Sequence, residues 1–282
     1  MKHAILPALL LAAASAPAPA TDVPKEFRYL YGSAEAAAIT RESYRALVGL
    51  ALERKAERDA GKPLTQTVLA SGSTLDHPLF EGCGGKPLAA VFDVDETLLL
   101  NIGFEEWDAT RPDRDGPWPK DAWASWEKTG TDKVAALPGA LDMVAALRAA
   151  GVAVIYNTNR NGATADYTAK ALEFAGFGKA TPGVDLYTDT IGDGKKDGRR
   201  AAIASTYCVI ALAGDQLGDI SDLFNAAALS VPQRRAATAL PAIAPLWGQG
   251  WFLLPNPVYG PPTRGTADDV FPDPALHWSP VP

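Results

Sequence analysis

Five short apolar runs constrain this chain more than any other feature. They are Leu88 to Phe92, Val152 to Tyr156, Val184 to Tyr187, Cys208 to Ala213 and Trp251 to Leu254. All but Val184 to Tyr187, which Asp185 interrupts, are continuous, and continuous apolar runs of this length suit strands buried on both faces. Helical sequence lies between them. Pro138 opens a segment that puts Leu141, Val144 and Leu147 on one face and stops at Gly151, a second runs from Thr164 to Ala175, and a third covers Arg199 to Ser205. Such alternation predicts an α/β fold, a Rossmann-like parallel sheet flanked by helices. With 282 residues, 47% of them hydrophobic, the chain can bury a full core.

The remaining segments divide around that pattern. Ser33 is a fair N-cap for a helix reaching Gly61, with room for one break, so residues 27–62 read as an N-terminal helical segment. Residues 104–136 hold Trp107, Trp118, Trp123 and Trp126 amid charges and prolines, which reads as a small, mostly helical insertion. The core then comprises 86–103 and 137–260, and the Pro-rich stretch 261–282 is an irregular tail. At the N-terminus, Lys2 precedes an apolar run from Ala4 to Ala14 and small residues through Ala20. That order predicts a cleaved signal peptide over 1–20. The run is too short to span a hydrocarbon core of ~30 Å, so no membrane anchor is expected, and the mature protein is expected in the periplasm or secreted. Cys83 and Cys208 could form one disulfide in such a compartment, or stay as two buried thiols. The formal charge of −7, without a Lys/Arg stripe, argues against a nucleic-acid polymer as partner. A homo-oligomer is left open.

Ligands of parallel sheets bind beyond the carboxyl ends of the strands, and the chemically loaded residues fall there. Asp93 and Asp95 follow the first strand, Thr158 and Asn159 the second, and Asp215 the fourth, with Asp219 four residues on. Lys195 and Lys196 lie between the third and fourth strands, and Asp222 reads as a surface acid. Two carboxylates two residues apart at a buried strand end repel unless a cation shares the site. Magnesium, which takes carboxylate and phosphate oxygens, resolves that conflict. The first carboxylate can then attack phosphorus, while the second protonates the departing alkoxide and activates water.

This order resembles the haloacid dehalogenase (HAD) superfamily of phosphohydrolases. More narrowly it is similar to the class C acid phosphatases and related bacterial lipoprotein nucleotidases. The resemblance rests on Phe92 to Thr97, Asn101 to Trp107, Tyr156 to Arg160, Gly214 to Asp219 and Leu254 to Gly260, and it covers roughly residues 27–260. It implies a nucleophile at Asp93, an acid/base at Asp95, and Mg2+ held by Asp93, the Asp95 carbonyl and Asp215, with Asp219 in support. Thr158, Asn159 and a lysine would bind the phosphoryl group. Lys196 fits the family's Lys-x-x-Arg spacing, with Lys195 as the fallback. Phe104, Trp123 and Tyr259 would stack on a nucleobase or aryl group in a cap to which 27–62 contributes and 104–136 is the insertion. Two departures are the missing lipoprotein cysteine and Gly-Asp-Gln in place of Gly-Asp-Asn.

The expected activity is therefore exported, magnesium-dependent hydrolysis of small phosphate monoesters, nucleoside monophosphates among them. A phosphotransferase would use the same residues. A non-catalytic phosphate- or nucleotide-binding protein would have no need of Asp95.

Overall fold

In the computed structural model, which describes residues 22–280, Ser33 starts the first long element. Its hydroxyl accepts from the Ala36 amide at 3.0 Å, one of the N–H groups that a helix start leaves without a partner. Helix α1 then runs through Ala34–Asp59 in a single piece. Tyr44, Leu47, Leu50 and Ala51 bury its inner face in one cluster with Leu88, Ala90, Phe92 and Ile210 of the sheet. Residues 25–32, just before it, form one short α-helical turn followed by a π-helical turn. Arg114 of the insertion reaches back there, to Glu26 at 2.5 Å and over the Phe27 ring. The N-terminal segment thus meets the insertion through these turns, while α1 itself packs on the sheet. The predicted signal peptide lies outside the described residues.

Next comes a hairpin of β1 (Thr65–Leu69) and β2 (Phe80–Gly82), absent from the sequence reading. Its inward positions are Val68 and Gln66, and the Gln66 amide donates to the Ala204 carbonyl and accepts from the Val209 amide. A polar residue at a buried position erased the hydrophobic alternation that would have marked a strand. Strand β3 (Leu88–Phe92) follows. The short pair β4 (Leu99–Leu100) and β5 (Ala135–Ala136) then brackets the insertion, which holds helices α2 (Ile102–Ala109) and α3 (Lys120–Thr129). Beyond it lie α4 (Ala140–Ala149), β6 (Ala153–Asn161), α5 (Ala165–Phe174), β7 (Leu186–Asp189), α6 (Asp197–Thr206), β8 (Cys208–Gly214) and β9 (Trp251–Leu253).

Five of these strands form one sheet in the order β7-β6-β3-β8-β9, with every pairing parallel. The chain starts in the middle at β3, steps outward through β6 and β7, then returns to the other side of β3 for β8 and β9. That reversal opens a crevice at the carboxyl ends of β3 and β8. Every residue of β3 and β8 is buried, as both faces are covered. A second apolar cluster, including Ile203, Phe224 and Trp251, lies on the face opposite α1.

Two expectations shift. Leu141 is 40% exposed, because α4 begins at Ala140 after Gly139 and so buries Ala140, Met143, Val144 and Leu147 instead. Strand β6 continues five residues beyond Tyr156, through polar sequence placed after the strand's expected end. Cys83 and Cys208 are joined in a disulfide across 125 residues, fastening the loop after β2 to the first residue of β8. Closing a loop of that length stabilises by roughly 5 kcal/mol in the chain-entropy model. Among the described residues no helix is long and apolar enough to cross a membrane.

Candidate active site

The end of β3 delivers the first site residue. The Asp93 amide donates to the Ala213 carbonyl at 2.9 Å, which extends the β3–β8 ladder by one residue and fixes Asp93 at the crevice. The chain then turns sharply. Leu98 and Leu99 both donate to the Val94 carbonyl, and Glu96 has a φ of +49°, alone among the described non-glycine residues in being positive. Such a backbone persists only where its surroundings hold it. Here the Glu96 carboxylate accepts from the Tyr31 hydroxyl at 2.8 Å, from the Asn101 amide at 3.1 Å and from the Tyr259 hydroxyl.

Asp215 follows Gly214 at the end of β8. A Cβ on Gly214 would collide with the Asp219 side chain, so glycine is what lets Asp219 fold over the strand end. One oxygen of Asp219 accepts from the Gln216 amide at 2.8 Å, and the other from Lys196 Nζ at 2.6 Å. Lys196, only 3% exposed, also donates to Asp93 at 2.5 Å, whereas Lys195 is exposed. Asp222 is more than a surface acid: its carboxylate accepts from the backbone amides of Lys196 (2.9 Å) and Asp197 (2.7 Å), capping the helix that carries the lysine. Asp93, Asp215 and Asp219 each bring a carboxylate oxygen within 4.8 Å of the others.

Asp95 faces a different set of partners. It accepts from Arg160 Nε at 2.9 Å and Nη2 at 2.7 Å, and from Asn101 Nδ2 at 2.9 Å. Arg160 has no role among the expectations drawn from sequence. The extension of β6 explains the geometry, since alternate residues of a strand face opposite ways. Thr158 and Arg160 face Asp95, while Asn157 and Asn159 accept from Arg199 at 2.7 and 2.5 Å. Asn159 lines the cavity described below. Thr158, expected to bind phosphate, sits behind that lining, where its hydroxyl donates to Asp95 at 3.4 Å and accepts from the Arg160 amide.

Charge decides what such a cluster can hold. Burial, then Asp219, push the Asp93 carboxyl well above the usual carboxylate range despite Lys196. Burial and Asp219 likewise push Asp215 up to about 7, against hydrogen bonds from Asn256 and Gln216. Burial and Asp95 lift Glu96 to about 7. Asp95 goes the other way: burial raises it, but Arg160 and its hydrogen bonds outweigh burial and hold it low. Lys196 is pulled down by burial and pushed further up by Asp219 and Asp93, so it stays charged. These five acids, four buried and Asp95 half-buried, face one lysine and one arginine, and Asp215 has only amide and hydroxyl donors beside it. The all-oxygen donor set, short of positive charge, fits a hard divalent cation.

Above the acids opens a cavity of about 880 Å³, lined by Asp93, Asp95, Lys196 and Asp215 and by Trp118, Trp123 and Tyr259. Phe104, expected in that lining, is 3% exposed and backs it instead, edge-on to Trp123 at 4.9 Å. A phenyl ring has no polar tip to satisfy, so it takes the dry side of the cluster. Trp118, unassigned from sequence, fills the place, with its ring 5.5 Å from that of Trp123 and 5.6 Å from that of Tyr259.

Comparison with known proteins places the chain in a family. The family described as "HAD superfamily, subfamily IIIB (Acid phosphatase)" matches residues 52–262. No curated protein matches the chain. Among solved structures, the class C acid phosphatase from Bacillus anthracis superimposes with a TM-score of 0.60 at 24% identity, over 83% of each chain. The same enzyme with tungstate bound gives 0.60 at 22% identity, again over 83% of each chain. The likeness to these structures is one of fold. Because the family match spans most of the chain, the protein belongs to the acid phosphatases of HAD subfamily IIIB and is a phosphomonoester hydrolase.

Proposed function

We propose that the protein is an exported, magnesium-dependent acid phosphatase that cleaves small phosphate monoesters, nucleoside monophosphates among them, through a phosphoryl intermediate on Asp93. The observation that carries this reading is the placement of Asp93, held by a buried lysine at the floor of the cavity with Asp95 two residues away. In the first half-reaction an Asp93 oxygen bonds to phosphorus as the ester P–O bond breaks, and Asp95 gives its proton to the departing oxygen. In the second, Asp95 takes a proton from water as the water oxygen bonds to phosphorus. The bond from phosphorus to Asp93 breaks, and inorganic phosphate leaves. Arg160 holds Asp95 low, so the protonated form needed first becomes more abundant as pH falls, which suits an acidic optimum. Lys196 and Asn159 supply charge and hydrogen bonds for the phosphoryl oxygens, and Thr158 steadies Asp95.

Asp93 and Asp215, with Asp219 beside them, would hold Mg2+, and the Asp95 carbonyl is the further ligand implied by the family resemblance. The ion would neutralise phosphate charge during attack by an anionic carboxylate. Export is supported by the Cys83–Cys208 disulfide together with the signal-like pattern at 1–20.

Trp118, Trp123 and Tyr259 give the leaving group an aromatic wall. Stacking on such a wall is worth ~1–3 kcal/mol per base, or about tenfold in binding. The test is a panel of nucleoside, aryl and sugar phosphates assayed with magnesium. Trp123→Ala is expected to raise KM about tenfold for nucleoside and aryl phosphates and about twofold or less for glycerol phosphate. Equal increases for all of them would contradict the wall.

A further inference from the structure

A buried carboxylate outside the catalytic cluster joins the insertion to the core. Glu127, on α3, is 3% exposed. Its Oε1 accepts from Trp123 Nε1 on the same helix at 3.0 Å and from the Asn161 amide at the end of β6 at 3.1 Å. Its Oε2 accepts from the Thr164 hydroxyl, just before α5, at 2.6 Å. Three donors satisfy one charge, two of them from the core, so the contact fixes where α3 sits and how the Trp123 indole is turned. The chain of contacts continues inward. The Arg160 guanidinium lies over the Trp123 ring at 5.7 Å from its centre, and against the cost of burial its charge is held chiefly by Asp95 and then by Glu127. Arg160 in turn grips Asp95 through Nε and Nη2 and Asn101 through Nη2.

We propose that Glu127 is a positioning residue for the acid/base. By locking Trp123 against the end of β6, it confines Arg160 to the place from which Arg160 aims Asp95 at the leaving oxygen. The proposal rests on Asp95 acting as proton donor. A misplaced donor costs most where the leaving group depends on protonation. An alkyl phosphate needs that proton, because an alkoxide leaves poorly, while p-nitrophenolate leaves unaided. Loss of Glu127 should therefore slow the two substrates unequally, which a simple loss of folded enzyme cannot do.

The test compares kcat for glycerol phosphate and p-nitrophenyl phosphate, with magnesium, in the full-length enzyme and its variants. Glu127→Ala is expected to lower kcat about 30-fold for the alkyl ester and about threefold or less for the aryl ester. Glu127→Gln is expected to recover most of the alkyl activity. Its carbonyl can accept from both Trp123 and Asn161, and its NH2 can donate to the Thr164 oxygen while that hydroxyl turns to the Asn161 carbonyl, 3.0 Å away. Thr164→Val removes a single donor and is expected to shift the ratio in the same direction by a smaller factor, which keeps the test open should Glu127→Ala not fold. Equal losses for both substrates in each variant, or a Gln variant no better than Ala, overturn the proposal. Hydrolysis that survives Asp93→Asn would instead remove the underlying mechanism, so the two failures are distinguishable.

Discussion

Asp93→Asn is expected to abolish hydrolysis of p-nitrophenyl phosphate while leaving the fold intact. An amide oxygen cannot displace an alkoxide from phosphorus, and nucleophile replacements of this kind cost on the order of 10⁴-fold or more in kcat. The fold should persist because Asn can still accept the Lys196 hydrogen bond in place of Asp93, and Lys196 keeps its second partner, Asp219. Loss of one negative charge also relieves repulsion from Asp219, the strongest charge acting to raise Asp93. A melting temperature within a few degrees of the parent, with no turnover, is the expected pair of results. Turnover within about tenfold of the parent would end the assignment of Asp93 as nucleophile.

Removal of divalent metal carries the second large effect. Chelation with EDTA is expected to take activity to background, and excess magnesium to restore it, because the buried acids outnumber the cations near them. The same imbalance sets how stability depends on pH. Burial raises Asp215 and Glu96 to about 7, and Glu105, buried in α2, to about 10. Across the range between ordinary carboxyl values and these raised ones, the metal-free folded state binds more protons than the unfolded chain. Stability must then fall as pH rises through that range. Metal-free protein is therefore expected to melt at a higher temperature at pH 5 than at pH 7.5. Magnesium, which binds the ionised carboxylates, should stabilise strongly at pH 7.5 and weakly at pH 5. Activity unaffected by EDTA, or metal-free protein more stable at pH 7.5, would contradict this account.

Much of the scaffold was legible because parallel strands must be apolar on both faces. Four of the five strands of the central sheet show that signature, and the acids directly after β3 and β8 mark its functional edge; the third strand, read at Val184 to Tyr187, lies two residues later at Leu186–Asp189, where Thr188 and Asp189 break the apolar pattern and Val184 is 59% exposed. What escaped was polar structure. Gln66 hid β1 by standing at a buried strand position, and Asn157 to Asn161 extend β6 although they carry no apolar strand pattern. That extension is why Thr158 and Arg160 face Asp95 together. Side chains that meet across long separations leave no local trace. Arg160 and Asp95 are 65 residues apart, as are Tyr31 and Glu96, and the bond between Tyr259 and Glu96 spans 163. Asp222 looked like a surface acid because its partner, the start of α6, precedes it by 25 residues or more. The exchange of Phe104 for Trp118 in the aromatic wall had the same origin. Composition located the aromatic cluster, and only packing decides which ring faces the cavity.

The most direct measurement is chemical trapping of the intermediate. Enzyme mixed with substrate and magnesium, then quenched in acid, should carry up to one phosphoryl group per chain as a hydroxylamine-labile acyl phosphate. Mass spectrometry should place it on the peptide containing Asp93, and Asp93→Asn should show none. Active enzyme that yields no acyl phosphate under rapid quench, or carries the phosphoryl group on another residue, would contradict the account.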